Sequence, residues 1–216
     1  IVEWRAMWES VRSAVAILVG GNLGEIGFIL AGTAVTGTSP VNARQLLLVN
    51  LLTDMAPALA IALREPPDKT PERLLHEGPD ASLGDALIRE IAVRAGTTAA
   101  GAAAAWTVAS MTGTPTRART VALAGLVGTQ LAQTLVSGGR SPTVVGATAI
   151  SIGALVVTIQ TPGLSQFFGC RPLGPVGWAT ATSAAIGATG LSVGVPRLVE
   201  QVGRRIADHD SAAGML

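Results

Sequence analysis

The stretch Gln45–Leu63, QLLLVNLLTDMAPALAIAL, constrains this chain more than any other. It is apolar almost throughout, and at ~1.5 Å of rise per residue a helix of that length crosses a hydrocarbon core of ~30 Å. Yet its middle holds Asn50, Thr53 and Asp54. Spaced i, i+3 and i+4, these side chains share one helix face. A carboxylate near the centre of a membrane helix costs ~2.5–3.5 kcal/mol on insertion scales, so it marks a functional site before it marks a packing choice. Pro57 adds a backbone argument. Its ring clashes with the carbonyl of Thr53 and it donates no N–H, so the helix is expected to kink or unwind beside Asp54. Irregular backbone at membrane depth persists only where protein or a polar cavity receives the freed groups.

The whole chain has the composition of a membrane protein. Of 216 residues 13% are charged and 49% hydrophobic, where a soluble domain carries about 25% charged. A net charge of +1, with no basic face or pattern of stacking aromatics, argues for no nucleic acid partner. One cysteine, Cys170, excludes an internal disulfide, and no C-x-x-C or histidine cluster suggests zinc. His76 and His209 read as solvated surface residues. Gly20-x-x-x-Gly24 and Gly190-x-x-x-Gly194 have the spacing of close helix contacts. The opening residues Ile1–Arg5 are no signal-peptide start and read as the interior of something longer.

The fold class expected is all-α, a polytopic membrane bundle of six transmembrane helices at 13–35, 45–63, 91–112, 120–137, 143–161 and 175–195. An even number places both termini on one side. With the termini inside, the inner segments hold Arg5, Arg12, Arg64, Lys69, Arg73, Arg89, Arg94, Arg140, Arg197, Arg204 and Arg205. The outer loops hold only Arg44, Arg117, Arg119 and Arg171. The positive-inside rule then predicts a multi-pass protein of the cell membrane with both termini cytoplasmic. Trp106 and Trp178 fall near the outer boundary and Trp4 and Trp8 before the first span, as interfacial aromatics do. The charged, proline-containing connection Arg64–Glu90 is expected to be a cytoplasmic loop. A short helix from Ser82 is expected there, capped through Ser82-x-x-Asp85. Phe167 and Phe168, in the outer loop 161–174, are expected to lie on the membrane interface.

Away from the ends of the spans the acids are Glu25 and Asp54. Glu25 has Asn22 three residues earlier on its own face. A short loop with Pro40 joins the first two spans, so the two polar faces reach similar depth and can meet. Together they offer two carboxylates, two amide carbonyls and a hydroxyl. Gln130, mid-span in the fourth helix, either adds an amide oxygen or hydrogen-bonds helices together. A hard cation such as Ca²⁺ takes ~6–8 oxygens. No thiolate or imidazole lies in the spans, which disfavours copper or zinc.

Asn22-Leu-Gly-Glu25, then Gln45-Leu-Leu-Leu-Val-Asn50-Leu-Leu-Thr-Asp54, Pro57 and Pro66-Pro67-Asp68, resemble the fifth and sixth membrane helices of P-type cation-transporting ATPases. The calcium-pump and sodium/potassium-pump branch has the most similar pattern, and helices seven to ten of that family resemble the chain to about residue 205. The resemblance implies that Asn22, Glu25, Asn50, Thr53 and Asp54 are cation ligands, with Asp54 shared where two sites exist. At Gln130 calcium pumps of the sarcoplasmic type have glutamate and other pumps glutamine; Asn50 in place of aspartate leans away from the sodium/potassium type.

The implied organisation is a hairpin carrying the cation site at 1–68, with a stalk lead-in at 1–12. A cytoplasmic loop at 69–90, a four-helix supporting bundle at 91–205 and a mobile tail at 206–216 complete it. The implied function is ion translocation in a bacterial ATP-driven pump of a divalent cation, Ca²⁺ favoured. Its partners would be the lipid bilayer and the pump's N-terminal helices and cytoplasmic domains. ATP and Mg²⁺ would serve only the full-length pump. No Asp-Lys-Thr-Gly-Thr phosphorylation motif or Thr-Gly-Glu loop occurs here, so this chain alone is expected not to hydrolyse ATP. Competing readings are a self-contained proton-coupled secondary transporter and a membrane module that transports nothing.

Overall fold

The computed structural model describes residues 2–62, 84–139 and 141–213. Every regular element among them is helical: α1 (Val2–Thr36), α2 (Ala43–Asn50), a π-helical turn (Leu51–Met55), α3 (Ala56–Ala62), α4 (Asp85–Thr112), α5 (Pro115–Gly138), α6 (Pro142–Gln160), the short α7 (Leu164–Phe167) and α8 (Pro175–Ala213). The helices α5, α6 and α8 each open on a proline, whose fixed φ suits the first helical position and whose missing N–H is no loss there.

The post of the bundle is α5. Its residues Val121–Val127 are buried in an unbroken run, which only a helix surrounded by others shows. Against it pack α4, α8 and α6, while α1 lies along α4 and α3 along α6. The core combines Phe28, Leu48, Val49, Leu123, Leu126, Leu155 and Ile159 with many alanines. Small residues let backbones approach. A Cβ on Gly20 would stand 2.7 Å from Arg94 Cβ, and one on Gly24 would stand 2.6 Å from Thr98 Cβ. That pair therefore makes the α1–α4 crossing. Gly190 and Gly194 face open space, so the same spacing there packs nothing among the described residues.

The outside of the bundle is apolar. Leu47, Leu51, Met55 and Leu59 form an exposed ridge at four-residue intervals, and Ile150, Val157 and Leu191 are exposed likewise. Water does not tolerate so continuous a surface, whereas lipid does. Helices cover all six expected apolar stretches. Among the described residues, however, three are long and apolar enough to cross a membrane: Val11–Thr36, Pro115–Gly138 and Pro142–Gln160. The second stretch falls short because it is divided into three pieces, and α4 because alanine and glycine give it length with little hydropathy while Arg89, Glu90 and Arg94 charge its first part.

The kink expected beside Asp54 takes a specific form. The helix does not unwind; it widens into the π-turn Leu51–Met55 directly ahead of Pro57. Pro57 leaves the Thr53 carbonyl without its usual donor, and a π-turn changes the hydrogen-bond register while keeping the chain helical. The α1–α2 connection turns at Gly37, φ +70°. It re-enters helix at Asn42, whose side chain accepts from Gln45 N at 2.9 Å while Gln45 Oε1 accepts from Asn42 N at 3.0 Å. Asn42→Ala is expected to cost about 1 kcal/mol through the lost cap, read as a lower thermal unfolding midpoint. Asn42→Asp keeps the acceptor and should lie closer to the unsubstituted protein.

No separate short helix precedes the third apolar stretch within the described residues. Asp85 begins α4 itself, behind Gly84, which makes no side-chain cap; Ser82 lies outside the described residues. The polar end of the chain, expected to be a mobile tail, continues α8 to Ala213. Trp106 and Trp178 pack partly buried on the core, and the Trp106 ring meets Phe28 edge-on at 6.5 Å. The side chains of Trp4, Trp8 and His209 and the whole of His76 lie outside the described residues.

Candidate cation site

The residues of interest arrive from three directions. Asn22 and Glu25 project from the middle of α1, Asn50, Thr53 and Asp54 from the α2–π junction, and Gln130 from α5. Asn22 Nδ2 donates to Asp54 Oδ2 at 3.2 Å and to Leu18 O at 2.8 Å. Thr53 Oγ1 lies 2.9 Å from Val49 O and 3.3 Å from Asp54 Oδ1. Gln130 Nε2 donates to Glu25 Oε1 at 2.8 Å and reaches Gly21 O at 3.4 Å. Glu25 is 2% exposed. Each carboxylate is steadied by an amide from another helix, Asp54 by Asn22 of α1 and Glu25 by Gln130 of α5.

Asn50 is the informative member. Its Oδ1 is buried with no hydrogen-bond partner. A buried acceptor without a donor is costly, and the group that would relieve it is a donor or a cation. Beside the cluster is a small, partly open space of about 10 Å³ whose lining includes Gly21, Thr53, Arg94, Thr98, Gln130 and Gln133. That is room for about one water-sized species. Among the described residues no group of three or more His, Cys, Asp or Glu side chains occurs. A cation held between Glu25 and Asp54 would thus rely on two carboxylates and neutral oxygens, a donor set suited to hard ions.

The structure adds three side chains to the expected set. Gln133 Nε2 donates to Thr98 Oγ1 at 2.9 Å. Arg94, counted from sequence among the inner-segment charges, is buried against Gly20, lies 3.6 Å from Glu90 and donates to Ser137 Oγ. The signal was present as spacing: Arg94 and Thr98 are i, i+4 on α4, and Gln130 and Gln133 are i, i+3 on α5.

At the opposite end of α2 the 161–174 connection is tied down. Arg44 Nη1 donates to Phe167 O at 2.7 Å, Asn42 Nδ2 to Phe168 O at 3.0 Å, and Gln45 Nε2 reaches Gly169 O at 3.4 Å. Phe167 is exposed beneath the Arg44 guanidinium, 4.8 Å from its ring centre. Phe168 is half-buried on the core.

A family model described as "Cation transporting ATPase, C-terminus" matches residues 38–196. Over 91% of its length the chain is 48% identical to a "Probable cation-transporting ATPase I" of Mycobacterium leprae and 49% identical to its counterpart in Mycobacterium tuberculosis (strain CDC 1551 / Oshkosh). It spans 13% of the length of each. A "Calcium-transporting ATPase 1" of Lactococcus lactis is 28% identical over 42% of this chain and 10% of that protein.

Proposed function

This chain belongs to the cation-transporting ATPase C-terminal family, and from that premise we propose that it forms the ion-translocating part of a P-type pump for a divalent cation, calcium favoured. Glu25 and Asp54 serve as charged ligands, and Asn22, Asn50, Thr53 and Gln130 as neutral ones. What supports the reading is two acids from separate helices, linked through Asn22 beside Glu25 on α1, with Asn50 Oδ1 buried and without a partner one turn before Asp54. The preference for calcium draws support from the Lactococcus lactis relative. The excess of arginine in the inner segments supports both termini lying in the cytoplasm of the cell that makes the pump.

The chemistry follows from the donors. A cation bridging Glu25 and Asp54 takes the positions at which the Asn22 and Gln130 amide groups now donate. Rotation of each terminal torsion, which is soft, turns an amide oxygen toward the ion instead. ATP and Mg²⁺ act on domains outside this chain, and the helix movements they drive must change cation affinity, because only unequal binding couples the two. The π-turn is where such movement alters the distance between the acids.

The full-length protein in liposomes should form an acid-stable phosphoenzyme from ATP whose level rises with one cation among Ca²⁺, Mn²⁺, Mg²⁺ and Na⁺. Cation uptake driven by a pH gradient, with no phosphoenzyme under any cation, would overturn the pump and favour the secondary transporter.

A further inference from the structure

A second polar region lies at the end of the bundle where α4 begins and α5 finishes. It is a partly open cleft of about 340 Å³ whose lining includes Arg12, Arg89, Glu90, Arg94 and Thr189. Glu90 is shared, 3.7 Å from Arg12 Nη2 and 3.6 Å from Arg94 Nε. Among the described side chains that line it, one carboxylate stands against three guanidiniums, an excess of positive charge.

Its hydrogen-bond account is also unbalanced, and in one direction. Among the described residues, Arg12 Nε and Thr189 Oγ1, both of residues that line this cleft, are buried without a partner. The first is a guanidinium N–H, which only donates, and the second a hydroxyl, which can. Arg94, 9% exposed, has its Nε turned to Glu90 at 3.6 Å, too long for a hydrogen bond. Unmet donors beside surplus positive charge call for an oxyanion, and guanidinium N–H groups match the oxygens of a phosphoryl group in geometry.

We infer that this cleft binds a phosphoryl oxyanion, carried by an anionic phospholipid headgroup or by free phosphate. The depth suits a headgroup: Arg12 lies at the start of the apolar run of α1, Arg89 and Glu90 in the first turns of α4, and neighbouring Ser137 in the last turn of α5. With the apolar runs in the bilayer, that level is the headgroup layer, on the side where positive charge concentrates and anionic lipids reside. The inference does not rest on the cation site: Arg94 and Gln133 line both spaces, but none of the proposed cation ligands lines the cleft.

The experiment uses the full-length protein in neutral phosphatidylcholine nanodiscs, unsubstituted and as the Arg12→Gln/Arg89→Gln double variant, which spares the more deeply buried Arg94. Retention of added phosphatidylglycerol is read by native mass spectrometry, and binding of labelled inorganic phosphate by equilibrium dialysis with EDTA. The expected result is one tightly held phosphatidylglycerol, with affinity lowered about tenfold or more in the double variant, the scale of hydrogen bonds to a charged group. Phosphate binding with the same loss identifies the free anion as the ligand. No variant-sensitive binding of either probe, with both proteins eluting as folded particles of equal size, overturns the inference and leaves the cleft to water.

Discussion

Glu25→Gln and Asp54→Asn, each in the full-length protein, are expected to lower the apparent cation affinity of phosphoenzyme formation by about a hundredfold or more. Two unit charges 4 Å apart attract by about 4 kcal/mol at an effective dielectric near 20. Even after the lower cost of burying a neutral amide is set against that, about 3 kcal/mol of cation binding should vanish, which is the hundredfold. Each amide keeps the volume and a hydrogen-bonding oxygen, so Asn22 and Gln130 retain partners and the fold should survive. Because the acids act on one region, the double variant should lose less than the product of the single effects. Unchanged affinity in either single variant removes that residue from the ligand set. Unchanged affinity in both removes the site.

Gly24→Leu is expected to be the most damaging single change to the fold. A Cβ at this position would lie 2.6 Å from Thr98 Cβ and 2.8 Å from the carbonyl oxygen of Ala95. The second obstacle is backbone, which cannot rotate aside, so α1 and α4 must separate. Overpacking costs about 1–3 kcal/mol where a core can adjust and more where it cannot. Loss of monodisperse protein on detergent extraction is the expected outcome, with Gly24→Ala intermediate. Gly190, with open space around it, is the control: alanine there should be neutral or stabilising by up to about 1 kcal/mol through helix propensity. Since Glu25 follows Gly24 on α1, partial separation should also raise the cation concentration needed for phosphorylation.

Local chemistry was legible in the letters. The apolar run around Asn50, Thr53 and Asp54, the disturbance ahead of Pro57 and the presence of Glu25 in the neighbouring helix all follow from spacing and burial cost. So does membership of the family, because those residues stand in a recognisable order. Tertiary arrangement was not legible. Whether Gly20-x-x-x-Gly24 or Gly190-x-x-x-Gly194 made a contact depended on what lay opposite, and only the first pair faces a helix at close range. Arg94 counted only as an inner-segment charge because a sequence tally follows one helix at a time, whereas its burial is decided by α1 and α5. The number of spans is similar: 91–112 reads as a span by its length of small apolar residues, yet α4 falls short of spanning hydropathy, and its place in the bundle comes from close packing on α1 and α5.

The tether between α2 and the 161–174 connection has a mechanical consequence. With Asn42, Arg44 and Gln45 pinned to the backbone of Phe167–Gly169, one end of the broken helix is a fixed bearing. A push delivered at the Ala62 end cannot slide the whole rod, so it bends the rod at its softest joint. That joint carries Asp54, and a small twist there swings the carboxylate toward or away from its opposite number without disturbing the far side of the molecule.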